Sequence, residues 1–129
     1  MKSIIKQLVF VTFISISSYS FASNKSITIN GAELEYEIKG TGSQILFFEA
    51  GAISGMSGWD SIWKNLPQDS TAIRYSRRGE GNSSKCSGNL TSKDYVIDTE
   101  ALLKALKIDQ PFVHISHSYG NKIARDFAS

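Results

Sequence analysis

The segment Phe112-Val113-His114-Ile115-Ser116-His117-Ser118-Tyr119-Gly120 runs an apolar strand pattern into a small-x-Ser-x-Gly turn. A serine at the tip of such a sharp strand-to-helix turn, a nucleophile elbow, lifts its hydroxyl above the sheet edge while the N–H of the following residue faces the same point. The implied chemistry is acyl transfer, with Ser118 attacking, the Tyr119 amide receiving the developing charge, and Ser116, His117 and Gly120 forming the turn. An elbow serine also needs a histidine base and an orienting acid, which in this arrangement follow it in sequence. The sequence stops at Ser129, so the expectation is a chemistry that residues 1–129 do not complete alone.

A second loop bears on the same reaction. Glu49-Ala50-Gly51-Ala52-Ile53-Ser54-Gly55-Met56-Ser57-Gly58-Trp59 follows an apolar strand, and its small residues leave amides accessible. Acyl transfer puts negative charge on the carbonyl oxygen; two N–H donors at about 2.7–3.1 Å stabilise it, and losing one costs roughly 3 kcal/mol of barrier. Ala52 and Tyr119 are the candidate donors of this oxyanion hole.

Neither histidine supplies the base on this reading. His117 adjoins the nucleophile and projects away from its hydroxyl, and His114 lies on the strand as a hydrogen-bonded core residue. Asp94, Asp98, Asp109 and Asp126 have no triad role without a histidine to orient. His114 and His117, three apart across a strand and a turn, do not have metal-site spacing, so no metal is expected. The run Gly79-x-Gly81-x-x-Ser84 lacks the third glycine of a dinucleotide fingerprint, and no cofactor is expected.

The elements that must hold these loops follow from periodicity. Ile27 and Ile29, then Asn30-Gly31, then Leu34, Tyr36 and Ile38 alternating with Glu33, Glu35 and Glu37 read as a β-hairpin with one solvated acidic face. Gln44 to Phe48 is a continuous apolar run, the pattern of a strand buried on both faces. Trp59, Ile62, Trp63 and Leu66 make one helical stripe, stopped by Pro67. Thr71 to Tyr75 is a strand, and the Gly-, Ser- and Asn-rich stretch from Ser76 to Leu90 is a loop. Thr91 with Asp94 caps a long helix whose Tyr95, Thr99, Leu102, Leu103 and Leu106 pack inward while Lys93, Asp98, Glu100, Lys104 and Lys107 stay wet. The strand Phe112 to Ile115 and a helix with Ile123, Ala124 and Phe127 on its buried side complete the chain. Alternation of this kind predicts an α/β fold, a mostly parallel sheet with helices on both faces behind an N-terminal hairpin.

Lys2 and Lys6 precede an apolar run from Leu8 to Ile16 and a small-x-small ending at Ser20-Phe21-Ala22, the pattern of a secretory signal peptide over residues 1–22. The run is too short and too interrupted for a membrane span, so no stable span is expected after cleavage. Export to a bacterial periplasm or beyond is the expected localisation. Of 14 basic residues two lie in this leader, leaving 12 against 12 acidic ones in residues 23–129. With no basic stripe, nucleic-acid binding is not expected. Cys86 is the only cysteine and sits among loop formers, so it forms no internal disulfide and reads as a bystander.

Taken together, the motifs resemble the α/β-hydrolase superfamily of esterases, lipases and peptidases, over its N-terminal half only, from about residue 26 to 129. Gly51 with Trp59 is similar to that family's His-Gly loop and helix-opening tryptophan; Ser76-Arg77-Arg78-Gly79-Glu80-Gly81-Asn82-Ser83 resembles its Asp-x-x-Gly-x-Gly-x-Ser segment; Ser116 to Gly120 matches Gly-His-Ser-x-Gly. Three positions depart. Ala50 stands where histidine is common, so other contacts must position the loop; Ser76 replaces the aspartate; Ser116 replaces the first elbow glycine. The resemblance implies a serine hydrolase acting on small ester or amide substrates, with residues 23–129 as a partial domain. The alternative is a non-catalytic remnant or binding module that keeps the half-fold. In the complete fold, strands later in sequence flank the elbow strand; without them, Phe112 to Ile115 would be an open edge prone to self-association.

Overall fold

The computed structural model describes residues 24–129; the expected signal peptide, residues 1–22, lies outside them. The chain runs β1 (Lys25–Ile29), β2 (Ala32–Lys39), β3 (Gln44–Glu49), a 3-10 turn (Gly55–Trp59), α1 (Asp60–Trp63), β4 (Ser70–Tyr75), α2 (Ser92–Ala105), β5 (Phe112–Ser116) and α3 (Tyr119–Phe127). One five-stranded sheet has the order β1-β2-β4-β3-β5.

The sheet is mixed rather than mostly parallel. The neighbours β3 with β4 and β3 with β5 are parallel, as the helical crossovers from β3 to β4 and from β4 to β5 require. The hairpin adds an antiparallel pair, and β2 then docks antiparallel on β4. The hairpin turn is as expected: Asn30 and Gly31 both have positive φ, the geometry that matches strand twist in a two-residue loop, and Ile29 pairs with Ala32.

Helices cover both faces, but they are few. On one side Leu102 and Leu103 of α2, with Phe127 of α3, pack on Leu34, Ile45, Phe47, Ile73 and Tyr75. On the other, Trp63 with Trp59 and Leu66 packs on Leu46, Phe48 and Ala72. The stripe expected there is shorter than its spacing suggests, since α1 has four residues and Ile62 is exposed. Thr91 and Asp94 cap α2 reciprocally, Asp94 Oδ2 accepting from the Thr91 N–H at 2.7 Å.

Two further expectations fail. Glu35 and Glu37 are buried, so the acidic side of β2 is not a solvated face. The loop after β4 folds over it: Glu35 accepts from Ser76 Oγ (2.7 Å) and the Asn82 N–H (2.9 Å), and Glu37 pairs with Arg74 at 2.6 Å. Asp98 is likewise buried rather than wet, because Arg78 from that loop donates to it at 2.7 Å and Asn30 at 2.9 Å. Cys86 is a half-buried free thiol in the same loop.

Candidate active site

Ser118 has φ 52° and ψ −120°, a left-handed conformation that L side chains rarely adopt. With His117 it makes the two-residue connection between β5 and α3, so the bend is tight. A serine preceding a helix normally turns its hydroxyl back onto a first-turn N–H. Here no such bond forms, and the exposed side chain leaves its oxygen free. Asn121 N–H donates to the Ser118 carbonyl at 3.0 Å, so the backbone enters helical bonding at once. The Tyr119 N–H stands at the first helical position, where helices leave amides without an intrahelical acceptor and the axial dipole is positive.

The other turn residues fall around it. Ser116 ends β5 and its hydroxyl donates to Asn121 Oδ1 at 2.7 Å, away from the nucleophile position. His117 donates its N–H to the Glu49 carbonyl at 3.2 Å, and its ring packs against Trp59, with centroids 6.4 Å apart. Gly120 is buried against β3, where a Cβ would come within 2.6 Å of the Ala50 carbonyl oxygen and closer still to that of Glu49. A side chain there would push helix and strand apart.

The loop after β3 lies beside the elbow. A Cβ on Gly51 would meet His117 Nδ1 at 2.9 Å and Ser118 Cβ at 3.4 Å, so the next residue, Ala52, is close to the same spot and is exposed. Ile53, with φ 61°, directs its N–H to Glu80 Oε1 at 3.0 Å. Ala52 and Tyr119 are thus carried by adjoining segments.

Beneath the two loops is a buried polar cluster that sequence reasoning did not anticipate. Glu49, fully buried, accepts from Arg77 Nη1 at 2.5 Å and from the Tyr75 hydroxyl at 2.8 Å. Arg77, 2% exposed, also donates to the carbonyls of Ala50 (2.7 Å) and Gly51 (2.8 Å) and to Glu80 (2.7 Å). Burial works against the Arg77 charge, but the Glu49 and Glu80 carboxylates more than compensate and its pKa is raised. Burial, with Glu49 alongside, pushes the Tyr75 phenol well above its ordinary value, so it remains a donor. These are the contacts that position the loop where Ala50 replaces histidine. Ser76 takes the aspartate's place differently: its hydroxyl accepts from the Met56 N–H at 2.9 Å and donates to Glu35, so the carboxylate comes from β2 instead.

His114 is a core residue among Phe47, Phe112 and Phe127, but it is not hydrogen-bonded as expected. Its Nε2 is 3.8 Å from Glu49 Oε2, beyond bonding reach, and neither ring nitrogen has a partner. Among the described residues no cluster of histidine, cysteine or acidic side chains could hold a metal, and no helix is long and apolar enough to cross a membrane.

No family model matches the chain. The uncharacterized protein YqjL of Bacillus subtilis is 30% identical over 97 residues, which are 74% of this chain and 38% of YqjL. Among solved structures, MGS-M2, an α/β hydrolase enzyme from a Medee basin deep-sea metagenome, is similar at a TM-score of 0.75 and 29% identity, over 81% of this chain and 38% of its own. An AqdC variant solved with its substrate, the Pseudomonas quinolone signal, gives 0.75 at 25% identity over 82% and 40%. The epoxide hydrolase VrEH1 of Vigna radiata gives 0.74 at 20% over 82% and 35%. The chain therefore spans well under half the length of each of these relatives. By the elbow, the loop beside it and these likenesses, the described chain has an α/β-hydrolase fold, matching these relatives over about 35–40% of their length.

Proposed function

We propose that the chain carries the nucleophile and oxyanion hole of an exported serine hydrolase acting on small ester or amide substrates. The observation that carries this reading is the Ser118 backbone, strained at φ 52° and with its hydroxyl unused by the helix it precedes. Strain of this kind costs on the order of 1–3 kcal/mol and persists where surrounding structure enforces it. Ser118 Oγ would attack the substrate carbonyl carbon, its proton passing to a base. The carbonyl oxygen, now negative, would take hydrogen bonds from the Ala52 and Tyr119 amides, aided by the positive end of α3. The tetrahedral species would collapse to an acyl-serine, expelling the alcohol or amine. Water would then release the acid by the same route. Among the described residues, His114 is enclosed by aromatic rings and His117 packs on Gly51 and Trp59, so base and acid would come from elsewhere in the protein.

A fluorophosphonate probe tests this on the protein with the segment that supplies base and acid present. Covalent labelling that disappears in Ser118→Ala is the expected result. Absence of labelling would favour the alternative, a non-catalytic remnant or binding module.

A further inference from the structure

We propose that Arg77 is the positioning residue that sets the direction of the Ala52 amide, and so decides whether an oxyanion hole exists. This rests on reading Ser118 as the nucleophile.

In a trans peptide the C=O and the following N–H point in opposite directions. Arg77 Nη2 holds the Gly51 carbonyl at 2.8 Å and Nη1 holds that of Ala50 at 2.7 Å. The Gly51 and Ala52 N–H groups must therefore point away from the guanidinium. A flip of the Gly51–Ala52 peptide would turn a carbonyl, an acceptor, onto the place where an anion must sit.

The Ser54 hydroxyl also donates to the Gly51 carbonyl, at a longer 3.3 Å, but it is neutral and does not reach the Ala50 carbonyl, so Arg77 alone holds both peptides. Ala50 has no polar side chain, and Ala52 and Ile53 are exposed. Arg77 is itself held on both sides, by Glu49 at 2.5 Å and by Glu80 at 2.7 Å, and Glu80 Oε1 also accepts the Ile53 N–H at 3.0 Å. Its guanidinium carbon lies 5.8 Å from the centre of the Tyr119 ring, the residue that bears the second donor. One side chain thus holds the Ala52 side of the hole and lies beside the residue on the other. A planar fork can hold two adjacent carbonyls and a carboxylate together; a lysine ammonium keeps the charge but not the fork.

The test is Arg77→Lys in the full chain, read in three ways. Retained folding shows as unchanged exchange of the Phe47 amide in β3. The expected loop effect is an upfield shift of the Ala50 and Gly51 carbonyl carbons, with at least tenfold faster exchange of the Ile53 amide. The expected chemical effect is a loss on the order of 100-fold in the first-order constant for fluorophosphonate inactivation, at unchanged half-saturating probe concentration. Unchanged carbonyl shifts and an unchanged inactivation constant would overturn the proposal, as would an equal loss in both kinetic constants. If Arg77→Lys does not fold, the double variant Glu49→Gln, Arg77→Met removes both buried charges and carries the same expectations. If the unsubstituted chain is not labelled at Ser118, the hydrolase reading fails. The carbonyl shifts then still decide what Arg77 does to the loop.

Discussion

Gly120, in the first turn of α3, leaves no room for a methyl group against the carbonyls of Glu49 and Ala50 at the end of β3. The obstruction is backbone, which cannot step aside as a side-chain tip could. Gly120→Ala is expected to cost about 1–3 kcal/mol as an overpacking substitution. Chemical denaturation measures the cost. Because relief requires α3 to move off β3, labelling at Ser118 should fall as well. A variant with unchanged stability would show that helix and strand are not in close contact.

Ser118 holds the opposite relation to stability. Glycine adopts positive φ without steric penalty, so Ser118→Gly should stabilise the fold by about 1 kcal/mol. In a domain of this size that raises the melting temperature by roughly 4–8 °C. Ser118→Ala keeps the strain and should not. Both should abolish labelling. A glycine variant no more stable than the alanine variant would argue against a strained elbow.

Glu35 gives the fold an acid sensitivity. Burial raises its pKa, but hydrogen bonds from Ser76 and from the backbone and side chain of Asn82, with the Arg74 charge, outweigh it and hold the carboxyl below the usual range. A lowered folded-state pKa contributes stability that is complete above the unfolded value, about 4.3, and is lost as pH falls through the folded one. Glu35→Gln should be less stable than the unsubstituted chain near pH 7, and the gap should close toward pH 3. Urea midpoints across that range measure it; a constant gap would exclude the linkage.

The terminal position of β5 bears on association. Among the described strands it pairs with β3 alone, and Val113 is 46% exposed on it. Lysine on an edge strand discourages edge-to-edge pairing. Val113→Lys should shift the chain toward its monomeric elution volume at a given concentration. Identical concentration-dependent profiles for both chains would rule out this edge as the route.

Export makes a separate prediction. Cleavage after Ala22 would leave Ser23 as the first residue of the mature protein. Sequencing the N-terminus of protein recovered from outside the cytoplasm checks this; an N-terminus at Met1 would contradict it.

Much of the scaffold was legible because its signals are local. The Asn30-Gly31 turn, the Thr91 and Asp94 cap and the apolar run of β3 each specify their structure within a few residues. The elbow was legible for the same reason, and so was the tryptophan stripe in part. What could not be read were partners supplied from a distance. Period two shows that Glu35 and Glu37 share a face, but not that a loop some 40 residues later covers it. Arg77-Arg78 in a polar loop resembles a solvated charge pair until Glu49 is known to lie under one and Asp98 beside the other. A signal existed in the substitutions themselves. A serine in place of an aspartate at position 76, and an alanine in place of a histidine at position 50, leave polar duties that other residues must assume.

The row of carboxylates on β2 ties the hairpin to the reactive end of the molecule. A slip of one residue between β2 and β4 would swap Glu35 and Glu37 for Leu34 and Tyr36, stranding Ser76 and Arg74 without acceptors. Strand alignment far from the elbow is therefore policed by ions as well as by oil, and an insertion in the hairpin should disturb the turn at Met56 before it disturbs the core.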